Sequence, residues 1–142
     1  GEVWCLDTQS LKPVWKFDAG STVLDAVAVR DRRVFCGTAE GRVFGLDLTD
    51  GSVLAGASLS GPVVTAPAVT KNHVFVVTEN GRAFCLDAAT LKVVWQQRLP
   101  DAGLCFSSPV VDGTRLFVGT SGGFFALGTK TPSPHNEEAA SQ

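Results

Sequence analysis

The chain has 142 residues and a formal net charge of −2, so charge gives no reason to expect a nucleic acid or an anionic membrane surface as a partner. Hydrophobic residues make up 44% and charged residues 18%, a composition that buries a core and excludes disorder over most of the length. No apolar run approaches the ~20 residues that cross a bilayer, so no membrane span is expected.

Along the chain a seven-residue phrase recurs. GEVWCLD starts at Gly1, GRVFGLD at Gly41, GRAFCLD at Gly81 and a worn GGFFALG at Gly122, spacings of 40, 40 and 41 residues. The spacing divides the chain into units 1–20, 21–60, 61–101 and 102–128. The first unit holds only EVWCLD and KPVWKF. The second predicts strands over Thr22–Val29, Arg33–Thr38, Arg42–Leu48 and Ser52–Leu59, and the third over Pro62–Val69, His73–Thr78, Arg82–Ala88 and Lys92–Leu99. The fourth predicts three, over Leu104–Val111, Arg115–Thr120 and Phe124–Leu127. Turn pairs such as Asp50-Gly51 and Asn80-Gly81 separate them, because Gly accepts positive φ at no steric cost. Four-stranded meanders repeating every 40 residues are propeller blades. The expected fold is therefore all-β, a partial β-propeller of about three four-stranded antiparallel blades. Upstream blades and domains of a parent protein are its first expected partners.

Residues 129–142 are polar, with two prolines, and predict a disordered C-terminal tail. The chain has no methionine and opens inside a repeat phrase, which predicts a piece of a longer protein. Cys5 and Cys85 share a repeat position with Gly45 and Ala126, as expected of small buried side chains. With Cys36 and Cys105 they form no CxxC pair, so reduced core thiols and a cytoplasmic location are expected.

Past the aspartate, CLDTQSLKPVW (Cys5–Trp15) and CLDAATLKVVW (Cys85–Trp95) both end in Trp eight residues after Asp. This resembles the tryptophan-docking motif A-x-D-x-x-T-G-K-x-x-W of PQQ-type (quinoprotein-like) propeller repeats. Asp7 and Trp15 match in one copy, Asp87 and Trp95 in another. In the copy between them Asp47 and Gly51 match, but Ala55 stands in place of Trp. Asp in a turn is expected to accept backbone N–H bonds, and Trp to pack over the neighbouring blade. The junction at Ala55 is therefore expected to be the weakest.

The resemblance implies a larger PQQ-type propeller but not its chemistry. Dehydrogenases of the family use a calcium-binding set, a catalytic aspartate and an adjacent-cysteine disulfide; no Cys-Cys pair or acidic cluster is present here. His73 and His135 stand alone, Ser107 and Ser108 have no His in their motif, and no Walker loop occurs. No catalytic, cofactor-binding or metal-binding residue is expected. By alignment Asp25, Thr65 and Ser107 are equivalent, as are Ala26, Ala66 and Ser108, and these positions mark a candidate channel or partner face for a protein. The chain is thus expected to be a non-catalytic interaction or organising module. Strand cysteines and the phrase FSSPVV (Phe106–Val111) make it similar to the terminal propeller of beta-alanine-activating enzymes in the acyl-CoA synthetase family. That likeness implies the C-terminal part of an adenylate-forming, acyl-activating parent. The alternatives are a bacterial outer-membrane assembly scaffold lipoprotein of the same repeat and a fragment of a PQQ-dependent dehydrogenase.

Overall fold

The computed structural model describes residues 1–128; the expected tail, 129–142, lies outside the described residues. Thirteen strands are present: β1 (Glu2–Leu6), β2 (Pro13–Asp18), β3 (Ala28–Arg30), β4 (Arg33–Gly37), β5 (Arg42–Asp47), β6 (Val53–Ser58), β7 (Ala68–Val69), β8 (His73–Thr78), β9 (Arg82–Asp87), β10 (Val93–Arg98), β11 (Val110–Asp112), β12 (Arg115–Thr120) and β13 (Gly123–Gly128). They pair antiparallel in chain order as sheets β1–β2, β3–β6, β7–β10 and β11–β13. Among the described residues there is no helix, hence none long and apolar enough to cross a membrane. The architecture is an all-β partial propeller.

The first strand of each unit is shorter than the run of β-formers predicts. Its front half bridges two sheets instead of pairing within one. Val63 donates to the Thr38 carbonyl of the preceding sheet at 2.9 Å, while the Pro62 carbonyl accepts from Glu79 in its own sheet at 2.9 Å. Cys105 repeats the arrangement one unit later, donating to Glu79 at 2.9 Å. Pro67 and Pro109 follow these segments and have no N–H to extend a ladder.

Between the third and fourth strands the register shifts beside the turn, at Cys5/Leu6 and Gly45/Leu46 before it and at Val93/Trp95 after it. Such bulges bend the outer strand. Side chains alternate across each third strand. Phe44 and Leu46 face the first sheet, packing with Val3 and Trp15; Phe84 and Leu86 face the second, with Phe35 and Val43; Phe125 and Leu127 face the third, with Val77 and Ala83. The core is therefore three layers between sheets, and burying each large apolar side chain in them contributes about 1.5–3 kcal/mol.

Candidate functional site

Where β3, β7 and β11 begin, three sheets meet at one carboxylate. Asp25 Oδ2 accepts the Ala66 N–H at 2.9 Å and the Ser108 hydroxyl at 2.8 Å; its Oδ1 accepts the Ala26 N–H at 2.7 Å. Ser108 Oγ lies 3.1 Å from the Ala66 nitrogen, closing the set. These bonds, led by that from Ala26 and followed by those from Ser108 and Ala66, hold the Asp25 carboxyl below its ordinary value. Of the sequence-predicted face, the structure thus joins Asp25 and Ser108 directly. Thr65 is buried, and its hydroxyl turns to the Val77 carbonyl at 3.4 Å. Ser107 is exposed over Gly119 of its own sheet. Ala66 takes part through its backbone, a role that side-chain chemistry in the sequence does not reveal.

The repeated aspartates fasten turns. Asp7 Oδ1 accepts from Ser10 N and Oγ, both at 2.7 Å, and Asp87 Oδ1 from Thr90 N and Oγ, both at 2.8 Å. Asp47 Oδ1 accepts from Thr49 N at 2.6 Å. The Ser10 backbone and side chain lower the Asp7 carboxyl, the Thr90 side chain and backbone lower Asp87, and the Thr49 backbone N–H lowers Asp47. Each carboxylate is bound to its own turn, and the described residues hold no cluster of three or more His, Cys, Asp or Glu suited to a metal. All four cysteines are free, and burial pushes the Cys36 and Cys85 thiols up to about 11 and Cys105 upward too. Protonated, buried thiols are poor nucleophiles.

Trp15 is 9% exposed; its Nε1–H donates to the Leu48 carbonyl of the second sheet at 2.9 Å. Its ring lies on Gly51, where an added Cβ would stand 2.6 Å from the ring, and Gly51 has φ +73. Space and backbone both require glycine there. At the next junction Ala55 packs against a buried cluster that includes Leu91, which has φ 55 and is 1% exposed. Leu91 reaches under Gly45, the cross-strand partner of Ala55, its Cδ1 3.7 Å from where a Cβ there would stand, and the layer it belongs to is the largest of the three. Trp95 packs toward the fourth sheet, its ring 6.2 Å from Phe75. It helps line a groove of about 720 Å³ together with His73, Val111, Arg115 and Leu127.

Residues 1–139 match the family described as outer membrane protein assembly factor BamB. No curated protein sequence matches the chain. Among solved structures, BamB from Moraxella catarrhalis is similar at 21% identity and TM-score 0.79, over 90% of this chain and 40% of that one. The computationally designed Ika4 protein is similar at 18% identity and TM-score 0.81, over 92% and 81%. A europium-containing methanol dehydrogenase is similar at 22% identity and TM-score 0.69, over 79% and 24%. The chain spans less than half the length of the BamB structure, and at these identities the likeness is one of fold.

Proposed function

Since the chain belongs to the family described as outer membrane protein assembly factor BamB, we propose that it serves as a non-catalytic propeller module that holds protein partners in place. The observation that carries this reading is the match over residues 1–139. The geometry supports it, because the polar groups that invite a chemical role are bound to the fold. Asp7, Asp47 and Asp87 cap turns, and Asp25 ties three sheets together. A carboxylate saturated by backbone and hydroxyl donors is a poor base. The assembly-factor role in the family's description fits such a surface. The finer expectation of an acyl-activating parent has no support among the similar proteins. A reducing, cytoplasmic setting for the four free thiols remains part of the proposal.

The test is affinity purification of the tagged chain from its host, with quantitative mass spectrometry. A protein partner recovered in stoichiometric amount is expected. Titration with PQQ and calcium, followed by absorbance and melting temperature, should leave both unchanged. A quinone spectrum with a rise in melting temperature would replace the scaffold reading with a dehydrogenase one.

A further inference from the structure

At the end of β3 remote from Asp25, the sequence gathers Arg30, Arg32 and Arg33 within four residues. The repeat does not ask for this, since the same turn reads Thr70-Lys71-Asn72-His73 in the third unit and Asp112-Gly113-Thr114-Arg115 in the fourth. The β3–β4 ladder sets Arg30 directly opposite Arg33, and like charges so placed repel. Arg30 Nε comes only within 3.7 Å of the Asp31 carboxylate, on an exposed surface, which does little to offset that repulsion. Arg32 turns away, its Nη2 donating to Thr49 Oγ1 at 2.7 Å. Arg33 crosses to the third sheet, where Nη1 donates to the Ala88 and Ala89 carbonyls, both at 2.9 Å. Between the two sheets lies a cleft of about 210 Å³. Val69 and Ala88 line it together with Arg30, Arg33 and Lys71, and Asp31 is the only acid among its lining residues.

The two bonds of Arg33 leave half of its guanidinium available. Both Nη1 hydrogens are taken by carbonyls, while the edge formed by Nε–H and Nη2 has no protein acceptor among the described residues. No side-chain nitrogen there is buried without a partner, so that edge meets solvent. Asp47, opposite Arg33 across the β4–β5 ladder, accepts from Thr49 instead. Neither Arg33 nor Lys71 forms an ion pair among the described residues. Nε and Nη2 side by side make the fork that grips both oxygens of a carboxylate. The two carbonyls fix its plane in advance, so little side-chain freedom is left to lose on binding. We propose that this cleft is a docking site for an acidic segment of a protein partner, whose carboxylate takes the Arg33 fork between Arg30 and Lys71. Charge complementarity carries the choice: three cations face one acid here, in a chain whose net charge is −2. An acidic segment is therefore drawn to this cleft and repelled by the rest of the surface. Phosphate cradles are built from backbone N–H groups, whereas the backbone groups that Arg33 meets at Ala88 and Ala89 are carbonyls. The inference rests on the partner-holding role proposed above and supplies the chemistry of the partner.

The experiment titrates the full chain, labelled with ¹⁵N, with an end-capped tetraglutamate peptide and follows backbone amide and arginine Nε–Hε resonances. Saturable shifts centred on Arg30, Arg33, Lys71, Ala88 and Ala89 are expected, and salt near about 1 M should suppress them. Arg30→Gln combined with Lys71→Gln, both exposed in the fold, should raise Kd about fivefold and leave the melting temperature unchanged. Arg33→Lys keeps the charge but loses the fork, and should weaken binding as well. Arg82→Gln combined with Arg98→Gln removes another pair of opposed arginines, outside the cleft, and should leave Kd as it is. Shifts that are absent, fail to saturate, or respond equally to the two double variants overturn the proposal. So does inorganic phosphate that produces the same shifts at lower concentration than the peptide, which would make the occupant a small phosphate ligand. Failure of the cleft is separable from failure of the scaffold role. A partner recovered equally by the parent chain and by the Arg30/Lys71 variant would leave the scaffold standing and remove the cleft from it.

Discussion

The junction between the first and second sheets and the junction between the second and third solve one packing problem in opposite ways. In the first, a large Trp15 crosses to a glycine and anchors its indole N–H on the Leu48 carbonyl. In the second, the crossing residue is Ala55 and the receiving sheet grows inward through Leu91. A tryptophan-docking motif that lacks its tryptophan is here accompanied by a large side chain, Leu91, at the position where Gly51 receives Trp15.

The largest effect should come from removing the crossing ring. Trp15→Ala leaves a cavity above Gly51 and orphans the Leu48 carbonyl, at a cost of about 3–5 kcal/mol in urea unfolding. A cost under about 1 kcal/mol would mean that the first junction does not depend on its tryptophan. Leu91→Ala should cost somewhat less, about 2–4 kcal/mol, because it removes a smaller buried side chain. If it proves neutral, Leu91 is not the replacement for Trp at the second junction.

Exchanging the two solutions sharpens the comparison. Ala55→Trp alone drives a ring into Leu91 and should destabilise by about 1–3 kcal/mol. Leu91→Gly alone opens a cavity. The double variant recreates the Trp15–Gly51 pairing, and a favourable coupling of about 1–3 kcal/mol is expected from the cycle. Additive losses would show that the pairing of sizes across the two junctions is accidental.

The repeats, the blade count and the turn aspartates were legible in the sequence because each has a local cause: period, alternation and Asx turns. The relation of Ala55 to Leu91 was not, because it joins residues of different units and appears only when the two turns are superposed. Both Leu11 and Leu91 read as apolar residues in a turn, and nothing local tells which of them is buried. The same holds at the candidate site. Asp25 and Ser108 could be aligned to the start of the inner strands, but their bond spans 83 positions. The aligned Ala66 and Ser108 do meet, at 3.1 Å, but Asp25 bonds Ser108 and not its aligned partner Ser107. Thr65 aligned with Asp25 yet turned into its own sheet, which a register of two-residue periodicity does not foresee in an irregular segment.

A last difference between the junctions lies at their inner ends. The first sheet comprises only the outer strands β1 and β2 among the described residues, whereas the second and third are also joined by the Ala66 N–H to Asp25 bond at 2.9 Å. Because the folded Asp25 carboxyl titrates below its ordinary value, the stability it contributes is present above the unfolded value, about 4, and is lost as pH falls through the folded one. The effect should be the smallest of these, since the carboxylate is exposed to solvent and screened there. Asp25→Asn should melt below the parent at pH 7, and the gap between the two melting temperatures should narrow as pH falls below about 4. The turn aspartates titrate in the same acidic range, but they are common to both proteins and cancel in the difference. A gap in melting temperature that persists unchanged at pH 3 would mean that the charge on Asp25 is not what draws Ala66 and Ser108 to it.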